Sequence, residues 1–376
     1  MVLKDINAIA SEITHPTVAT IGSHSALDIS HGAKQEDLPS LVVCQKGRDL
    51  TYSKYYKARR RGKKIVGCID EILLLDKFSQ MADKKNVDYL NARHCVFVPN
   101  RSFSVYVGYD KIEQEFSVPI FGNRRLLRAE ERNAQKNQHY LLQKAGIRVP
   151  MTFKAADEID RLVIVKASEA KRSYERAFFF ATSPSNFKSR GAELVKKGIV
   201  SQGGLESALI EEVVLGAHYN FNYFYSPIHD EMELMGTDMR RQTNLDGVLR
   251  LPASEQMAIM DSVRVNNIEV GHVACTVRES LLEAGLAAGE KLLATCREEY
   301  FPGIIGPFAL QGAITSEEGK EEFVVFDVSF RQPGSPGIRY TPYTGYLYGQ
   351  GISMGQRIAI ELKEAAKAES MAKVVN

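Results

Sequence analysis

Tryptophan is absent from this 376-residue chain and cysteine is scarce, with five at positions 44, 68, 95, 275 and 296. No two cysteines stand close in sequence. Neither a C-x-x-C metal site nor a disulfide framework is therefore suggested, and the thiols read as buried groups of a reducing compartment. Long apolar runs are missing too: Ile72–Leu75 and Ala177–Ala181 fall far short of the about 20 residues that cross a bilayer. The N-terminal Met1-Val-Leu-Lys-Asp-Ile lacks the basic-then-apolar pattern of a signal peptide, so a cytoplasmic protein without membrane contact is expected. Charge of one sign is hardly in excess. The chain has 48 Lys and Arg against 46 Asp and Glu, a formal net charge of +2. That argues against a nucleic-acid coat or a polybasic anchor and leaves room for a local basic pocket. There is no G-x-x-x-x-G-K-[ST] loop and no G-x-G-x-x-G fingerprint, and no histidine has H-x-x-E or H-x-x-x-H spacing. These gaps weigh against a P-loop NTPase, a Rossmann dehydrogenase and a zinc hydrolase.

What is present is ordinary globular composition, 44% hydrophobic and 25% charged, on a length that suggests two or three domains. Over the first 120 residues strand-like and helix-like pieces alternate. Thr17–Ile21, Ser40–Cys44, Lys63–Cys68, Glu71–Leu75, Cys95–Val98 and Ser104–Val107 read as strands, and Ser25–Gly32 as a helix. Such alternation implies parallel βαβ units with ligands at the carboxyl ends of the strands. The turn Gly22-Ser23-His24-Ser25 lies at such an end, where free N–H groups favour an anion. The character changes near Pro119. Arg124–Ala145 reads as one polar helix stopped by Gly146. Leu162–Val165, Leu209–Val214, His218–Tyr225 and Glu231–Met239 read as strands, Arg278–Glu299 as a long helix, Pro307–Thr315 and Glu322–Ser329 as a hairpin, and Ser353–Ala366 as a closing amphipathic helix.

Several residues could carry chemistry, each with a plainer reading beside it. Lys166 at a strand end suits nucleotide phosphates, or is a surface lysine. Glu211 and Glu212 suit a nucleotide base or ribose, or form a solvated edge pair. Gln311 and Asp327 on the two arms of the hairpin offer oxygen ligands to Mg²⁺ assisted by phosphates, or are ordinary polar strand residues. Arg240 and Arg241, read as part of a polar loop with Asp238 and Asn244, suit a phosphate through bidentate guanidinium contacts. His24, between two serines at the turn, is the best-placed histidine, or a satisfied structural one.

The order of these signals is more specific than any one of them. Ala19-Thr-Ile-Gly-Ser-His-Ser-Ala-Leu, Val118-Pro-Ile-Phe-Gly-Asn-Arg, Leu142-Gln-Lys-Ala-Gly-Ile-Arg-Val-Pro and Ile210-Glu-Glu-Val-Val-Leu-Gly come first. Asn222-Tyr-Phe-Tyr-Ser-Pro, Thr243-Asn-Leu-Asp-Gly, Val277-Arg-Glu-Ser-Leu-Leu, Gly306-Pro-Phe-Ala-Leu-Gln and Ser353-Met-Gly-Gln-Arg-Ile-Ala follow. From about Thr17 to Ala365 the chain resembles the archaeal formate-dependent 5-formaminoimidazole-4-carboxamide ribonucleotide (FAICAR) synthetase family. The resemblance implies an α/β ATP-grasp fold with an N-terminal parallel-sheet domain at 1–122. An ATP-grasp domain at 123–376 would hold a small nucleotide lobe at about 150–215 and a large lobe at about 216–376. It also implies a purine-biosynthesis ligase that formylates 5-aminoimidazole-4-carboxamide ribonucleotide (AICAR) with ATP and formate through formyl phosphate. Mg²⁺ or Mn²⁺ would be required and a homo-oligomer is expected, with no nucleic-acid partner. Carried over by position, His24, Ser102 and Asn244 would meet the ribonucleotide, Lys166, Glu211 and Glu212 the ATP, Gln311 and Asp327 the metal, and Arg331 would be catalytic.

The chain departs from the family pattern at three places. After Lys166 the usual glycine-rich loop is replaced by Ala-Ser-Glu-Ala-Lys-Arg-Ser-Tyr-Glu-Arg-Ala, although glycine favours close backbone approach to phosphates. A family V-P-H-G-S-F stands here as Val98-Pro-Asn-Arg-Ser-Phe. The last strand ends Asp327-Val-Ser-Phe-Arg-Gln-Pro, with Asp for Glu and without a terminal Asn. These changes keep two alternatives in view: a related ligase with another acid or amine, and a catalytically impaired regulatory relative.

Overall fold

β-Branched and aliphatic runs seed the first sheet. The computed structural model describes residues 2–131, 134–166, 178–263, 267–317 and 319–376, which group into two compact units: Met1–Ile147, His218–Gly312 and Asp327–Asn376 in one, Arg148–Ala217 and Ala313–Phe326 in the other.

The larger unit begins with α1 (Val2–Ser11), β1 (Thr17–Ile21), α2 (Ala26–Gln35), β2 (Ser40–Gln45), the short strands β3 (Arg59–Arg61) and β4 (Lys64–Val66), and β5 (Glu71–Leu75). Next come α3 (Lys84–Asn91), β6 (Cys95–Phe97), α4 (Arg101–Val107), α5 (Tyr109–Gln114), α6 (Arg124–Ala129) and α7 (Gln138–Lys144). A four-stranded sheet runs β5-β2-β1-β6 with every pairing parallel. Period-2 alternation splits it between two cores. Val18, Val96 and Val98 face a core shared with α2. Ala19, Ile21, Cys95 and Phe97 face the other, where Phe97, Phe103 and Phe116 pack with ring centroids 4.5–5.3 Å apart. A sheet buried on both faces explains the near-continuous apolar strands.

Three expectations are corrected here. Ser104–Val107 is helical, within α4, because the buried side chain of Asn100 caps the segment by accepting the Ser102 N–H at 3.1 Å. Lys63–Cys68 contributes only β4, paired with β3 in a separate exposed hairpin. The Arg124–Ala145 stretch forms two helices, α6 and α7, each with its own asparagine cap, Asn123 and Asn137.

The smaller unit carries β7 (Thr152–Phe153), β8 (Val163–Lys166), β9 (Phe178–Ala181), α8 (Pro184–Lys196), α9 (Gln202–Glu206) and β10 (Leu209–Glu212). Its sheet runs β7-β10-β8-β9, all antiparallel. Val163, Val165, Phe179, Ala181, Phe187 and Ile210 form its core.

The chain then returns to the larger unit with β11 (Ala217–Ser226), β12 (Glu231–Thr243), α10 (Leu245–Val248), α11 (Ala253–Ile259), β13 (Asn267–Cys275), α12 (Glu279–Glu299), β14 (Gly306–Glu317), β15 (Lys320–Ser329), α13 (Tyr343–Tyr348) and α14 (Met354–Lys367). The second sheet runs β13-β12-β11-β14-β15. The residues Ala313–Phe326 of its last hairpin group with the smaller unit. α14 crosses α2 through bare backbone. A Cβ on Gly32 would overlap the Gly355 backbone, and one on Gly355 would overlap the Asp28 carbonyl. Gly351-Ile-Ser-Met-Gly355 spells the G-x-S-x-G of a hydrolase elbow. Ser353, however, is fully buried and spends its Oγ accepting the Gln356 N–H as the cap of α14.

Candidate functional site

In the larger unit the site is built around the turn that follows β1. Gly22 N–H donates to Val43 O at 2.7 Å, which ties the turn to β2. His24 is exposed with φ +44°, a left-handed conformation uncommon for a non-glycine residue. The Asn100 amide donates to Ile21 O at 3.2 Å and Ser23 O at 3.0 Å. Ser102 Oγ donates to Ser23 Oγ at 2.7 Å. Ser25 Oγ donates to Pro333 O. The turn, the start of α4 and the segment after β15 thus meet, and Ser102 is fastened to Ser23, the chain neighbour of His24. Asn100 serves this scaffold. Arg101 is balanced by Glu130 at 3.4 Å and by Glu131 at 3.9 Å. The change at Asn100-Arg101 therefore has an internal structural account.

The second sheet supplies polar groups to the same unit. β12 runs on to Thr243, so Asp238, Arg240 and Arg241 lie within a strand and not in a loop. Strand alternation sends the two arginines to opposite faces. Arg240 Nη2 donates to Gln311 Oε1 at 2.5 Å, while the exposed Arg241 pairs with Asp246 at 3.2 Å. The expected paired-arginine phosphate clamp is thereby corrected. Asn244 follows the strand at the start of α10 and is exposed. Asp238, 1% exposed, accepts from Asn222 at 2.7 Å and Asn220 at 2.9 Å, and its Oδ2 stands 2.5 Å from His272 Nδ1. A Cβ at Gly334 would sit 2.8 Å from the His24 ring and 3.5 Å from His272 Nε2. The two imidazoles therefore border one spot, and only a bare backbone passes between them. Arg331, 12% exposed, pairs with the buried Glu130 at 3.2 Å, and Glu130 also accepts the Phe330 N–H at 2.9 Å.

Gln311 Nε2 donates to Ser329 Oγ at 3.2 Å, and Asp327 shares the Ser329 face of β15 by alternation. These are hard oxygen donors. Among the described residues no group of three or more His, Cys, Asp and Glu is gathered for a metal. The set is therefore one carboxylate and one amide oxygen. It suits Mg²⁺, which keeps several waters and takes phosphate oxygens. Arg240 already occupies the amide oxygen, so of the two the Asp327 carboxylate is the one left open to a cation.

The smaller unit holds the other three candidates. Lys166 Nζ pairs with the Glu211 carboxylate across neighbouring strands. Glu212 is turned to a different task. It accepts from Arg148 at 2.8 and 3.0 Å and from Met151 N–H at 2.9 Å. Burial works against its charged form, but the Met151 N–H and the Arg148 guanidinium prevail and hold its carboxyl below the usual glutamate range. Lys166 is described. The rewritten segment after it, with Lys171, Arg172 and Arg176, lies outside the described residues.

Sequence reasoning missed Glu130, His272 and the anchoring part played by Asn100. Each acts on a partner far away in sequence, so spacing gave no signal. The one usable hint was Asn220 and Asn222, two amides in strand alternation on β11.

Two family models match, one described as a domain of unknown function (DUF1297) over residues 186–376 and one as a protein of unknown function (DUF1246) over 18–153. The 5-formaminoimidazole-4-carboxamide-1-(beta)-D-ribofuranosyl 5'-monophosphate synthetase of Methanopyrus kandleri is 38% identical over 349 residues, 93% of this chain and 92% of the relative. The synthetase of the same name from Methanocaldococcus jannaschii is 36% identical over 362 residues, 96% of this chain and 95% of the relative. Among solved structures, the IMP biosynthesis protein PurP from Thermococcus kodakaraensis superposes with a TM-score of 0.68 at 27% identity, covering 96% of this chain and all of that one. The N5-carboxyaminoimidazole ribonucleotide synthetase PurK, in its ADP complex, shares the fold at a TM-score of 0.53 and 12% identity, over 86% of this chain and 72% of that one.

Proposed function

The chain belongs to the 5-formaminoimidazole-4-carboxamide ribonucleotide synthetase family and has an ATP-grasp fold, and from that premise we propose that it is an ATP- and formate-dependent ligase converting AICAR to FAICAR in purine biosynthesis. The observation that carries the proposal is near-full-length identity of 38% to a synthetase of that name. The intact turn at Ser23, His24 and Ser25, fastened to Ser102, supports it.

The chemistry follows from the leaving group. Formate cannot acylate an amine because oxide leaves badly. ATP phosphorylates formate, the amine of AICAR attacks the formyl carbon, and phosphate departs. The protein's part is positioning and charge neutralisation. His24 and Ser102 would hold the ribonucleotide at the β1 turn, with Asn244 as a further polar contact. Arg331, steadied by Glu130, would meet the negative charge that grows on the acyl phosphate. Lys166, Glu211 and Glu212 belong to the proposed small lobe, about residues 150–215, where the nucleotide would bind. There Lys166 would have to exchange Glu211 for phosphate, and Glu212 would act by fixing the β10 end through Arg148. Asp327, aided by Gln311, would hold Mg²⁺ or Mn²⁺, which when bound neutralises phosphate charge. We place the enzyme in the cytoplasm as a homo-oligomer acting on small molecules.

Incubating the purified protein with ATP, Mg²⁺, formate and AICAR tests the reading, with ADP and the formylated ribonucleotide both quantified. ADP and FAICAR in equal amounts are expected. Absence of both above background overturns the proposal. ADP with other acids or amines but not with formate and AICAR redirects it to a related ligase.

A further inference from the structure

The reaction proposed above leaves one proton without a destination. The attacking nitrogen is an aromatic amine, weakly basic because its lone pair is delocalised into the imidazole. Once it bonds to the formyl carbon it must lose a proton before phosphate departure becomes irreversible. A positioned base contributes typically 10²–10⁴-fold to such a step.

We propose, resting on that reading, that His272 is this base and that Asp238 is the residue that positions it. His272 lies on β13, opposite Arg240 of β12. Its side chain is 9% exposed, and its Nδ1 stands 2.5 Å from a carboxylate that is 1% exposed. That carboxylate is fixed in turn by the amides of Asn220 and Asn222, and Asn222 Oδ1 accepts from Ser335 Oγ at 3.1 Å. A carboxylate at Nδ1 takes the Nδ1–H. It thereby sets the tautomer whose Nε2 is the basic atom, and it stabilises the imidazolium once that forms. The same Nε2 borders the Gly334 backbone beside the ring of His24, the turn proposed to hold the ribonucleotide. His24 is exposed, in a left-handed turn, and suits binding; His272 has the buried carboxylate and suits proton transfer. Arg240 does not compete for Asp238, because it is turned to Gln311.

In the step itself the amine lone pair forms the C–N bond and the C–O bond to the phosphoryl oxygen breaks. Phosphate leaves with that electron pair, and the amine proton passes to His272 Nε2. Water takes the proton afterwards. Gly334 has a function in this arrangement too, since any side chain there would fill the space bordered by the two imidazoles.

Because the base acts only after formyl phosphate exists, the two half-reactions separate. Positional isotope exchange in ¹⁸O-labelled ATP with formate alone reports the first. FAICAR formation reports both. For His272→Gln, FAICAR formation should fall about 100-fold or more, with isotope exchange within threefold of wild type. Asp238→Asn keeps the size of the side chain and removes the charge. It should lower FAICAR formation about tenfold or more, again with exchange retained. FAICAR formation within threefold of wild type in His272→Gln overturns the proposal. So does a parallel fall of exchange and product in both variants when their circular dichroism is native. Wild-type protein that exchanges isotope yet formylates no ribonucleotide overturns the substrate reading, and this proposal with it.

Discussion

Single residues show where the sequence speaks and where it is silent. The Ser23-His24-Ser25 turn was legible because its parts are neighbours in the chain and follow a short β-branched run. Arg357 was not. Among the described residues it is the largest fully buried side chain, 1% exposed, with Glu233 at 2.8 Å, Glu361 at 2.9 Å and the Phe224 ring 4.2 Å beneath it. Glu361 is one helical turn away and could be paired by spacing, but Glu233 lies on another element. Arg357→Ala would strand two buried carboxylates. Removing one partner from such a network costs about 3–5 kcal/mol, and the urea midpoint should fall accordingly. Replacing Glu364, whose partner His229 is half exposed, should move that midpoint by less than about 1 kcal/mol equivalent. Asp327 supports a separate expectation. Its alanine variant should weaken binding of Mg²⁺ with ATP at least tenfold by calorimetry, and should leave metal-free nucleotide binding within about twofold. Equal loss in both titrations would deny Asp327 a metal-holding part.

Elements were read well where periodicity and length agreed, and badly where a local cap overruled composition. The 21-residue helix α12 and the β14–β15 hairpin lie within about two residues of expectation. Ser104-Val-Tyr-Val107 looks like a strand because it is β-branched and aromatic. One asparagine cap and burial of Phe103 and Val107 made it a helix. β12 runs past the expected Met239 to Thr243 although its last third is polar. Arg240 reaches Gln311 on β14 and the backbone pairs with β13 as far as Thr243, so tertiary pairing extends the strand, while Arg241 turns out to Asp246. The α2–α14 crossing depends on the absence of a side chain. Gly355→Ala would push a methyl into the Asp28 carbonyl, and Gly32→Ala one into Gly355. Backbone cannot give way as a side-chain tip does, so each should lower stability by about 1–3 kcal/mol and depress the melting temperature. Gly203→Ala in α9 meets nothing within 4 Å. It should be neutral or stabilising by up to about 1 kcal/mol, which makes it the control.

At the scale of the molecule, the family and its fold were legible because motif order spans nearly the whole chain. The grouping of β14–β15 residues with a distant stretch of chain was not, since it depends on where a hairpin ends in space. Acid stability is another property that composition hides. The net charge of +2 says little about which carboxylates favour the fold. Glu299 closes α12 with Lys136 at 2.5 Å and with Lys144. Hydrogen bonds from Lys136 and Lys144 draw its carboxyl from an ordinary 4.5 down to about 2. Its folded value lies below its unfolded one, so the unfolded chain binds the proton first as pH falls. The stability it contributes is whole above the ordinary value and is lost as pH drops towards 2. Asp28 acts with the opposite sign. Burial raises its carboxyl against hydrogen bonds from Ser353 and Gly355, so it opposes folding above the ordinary carboxylate range and ceases to do so as pH falls. In Glu299→Gln, unfolding followed from pH 7 to pH 2 should show the gap to wild type widest at neutral pH and closing below about 4.5. A gap that stays constant over that range would mean that Glu299 works through packing alone, and that the lysine pair does not tie α12 to the α6–α7 region by charge.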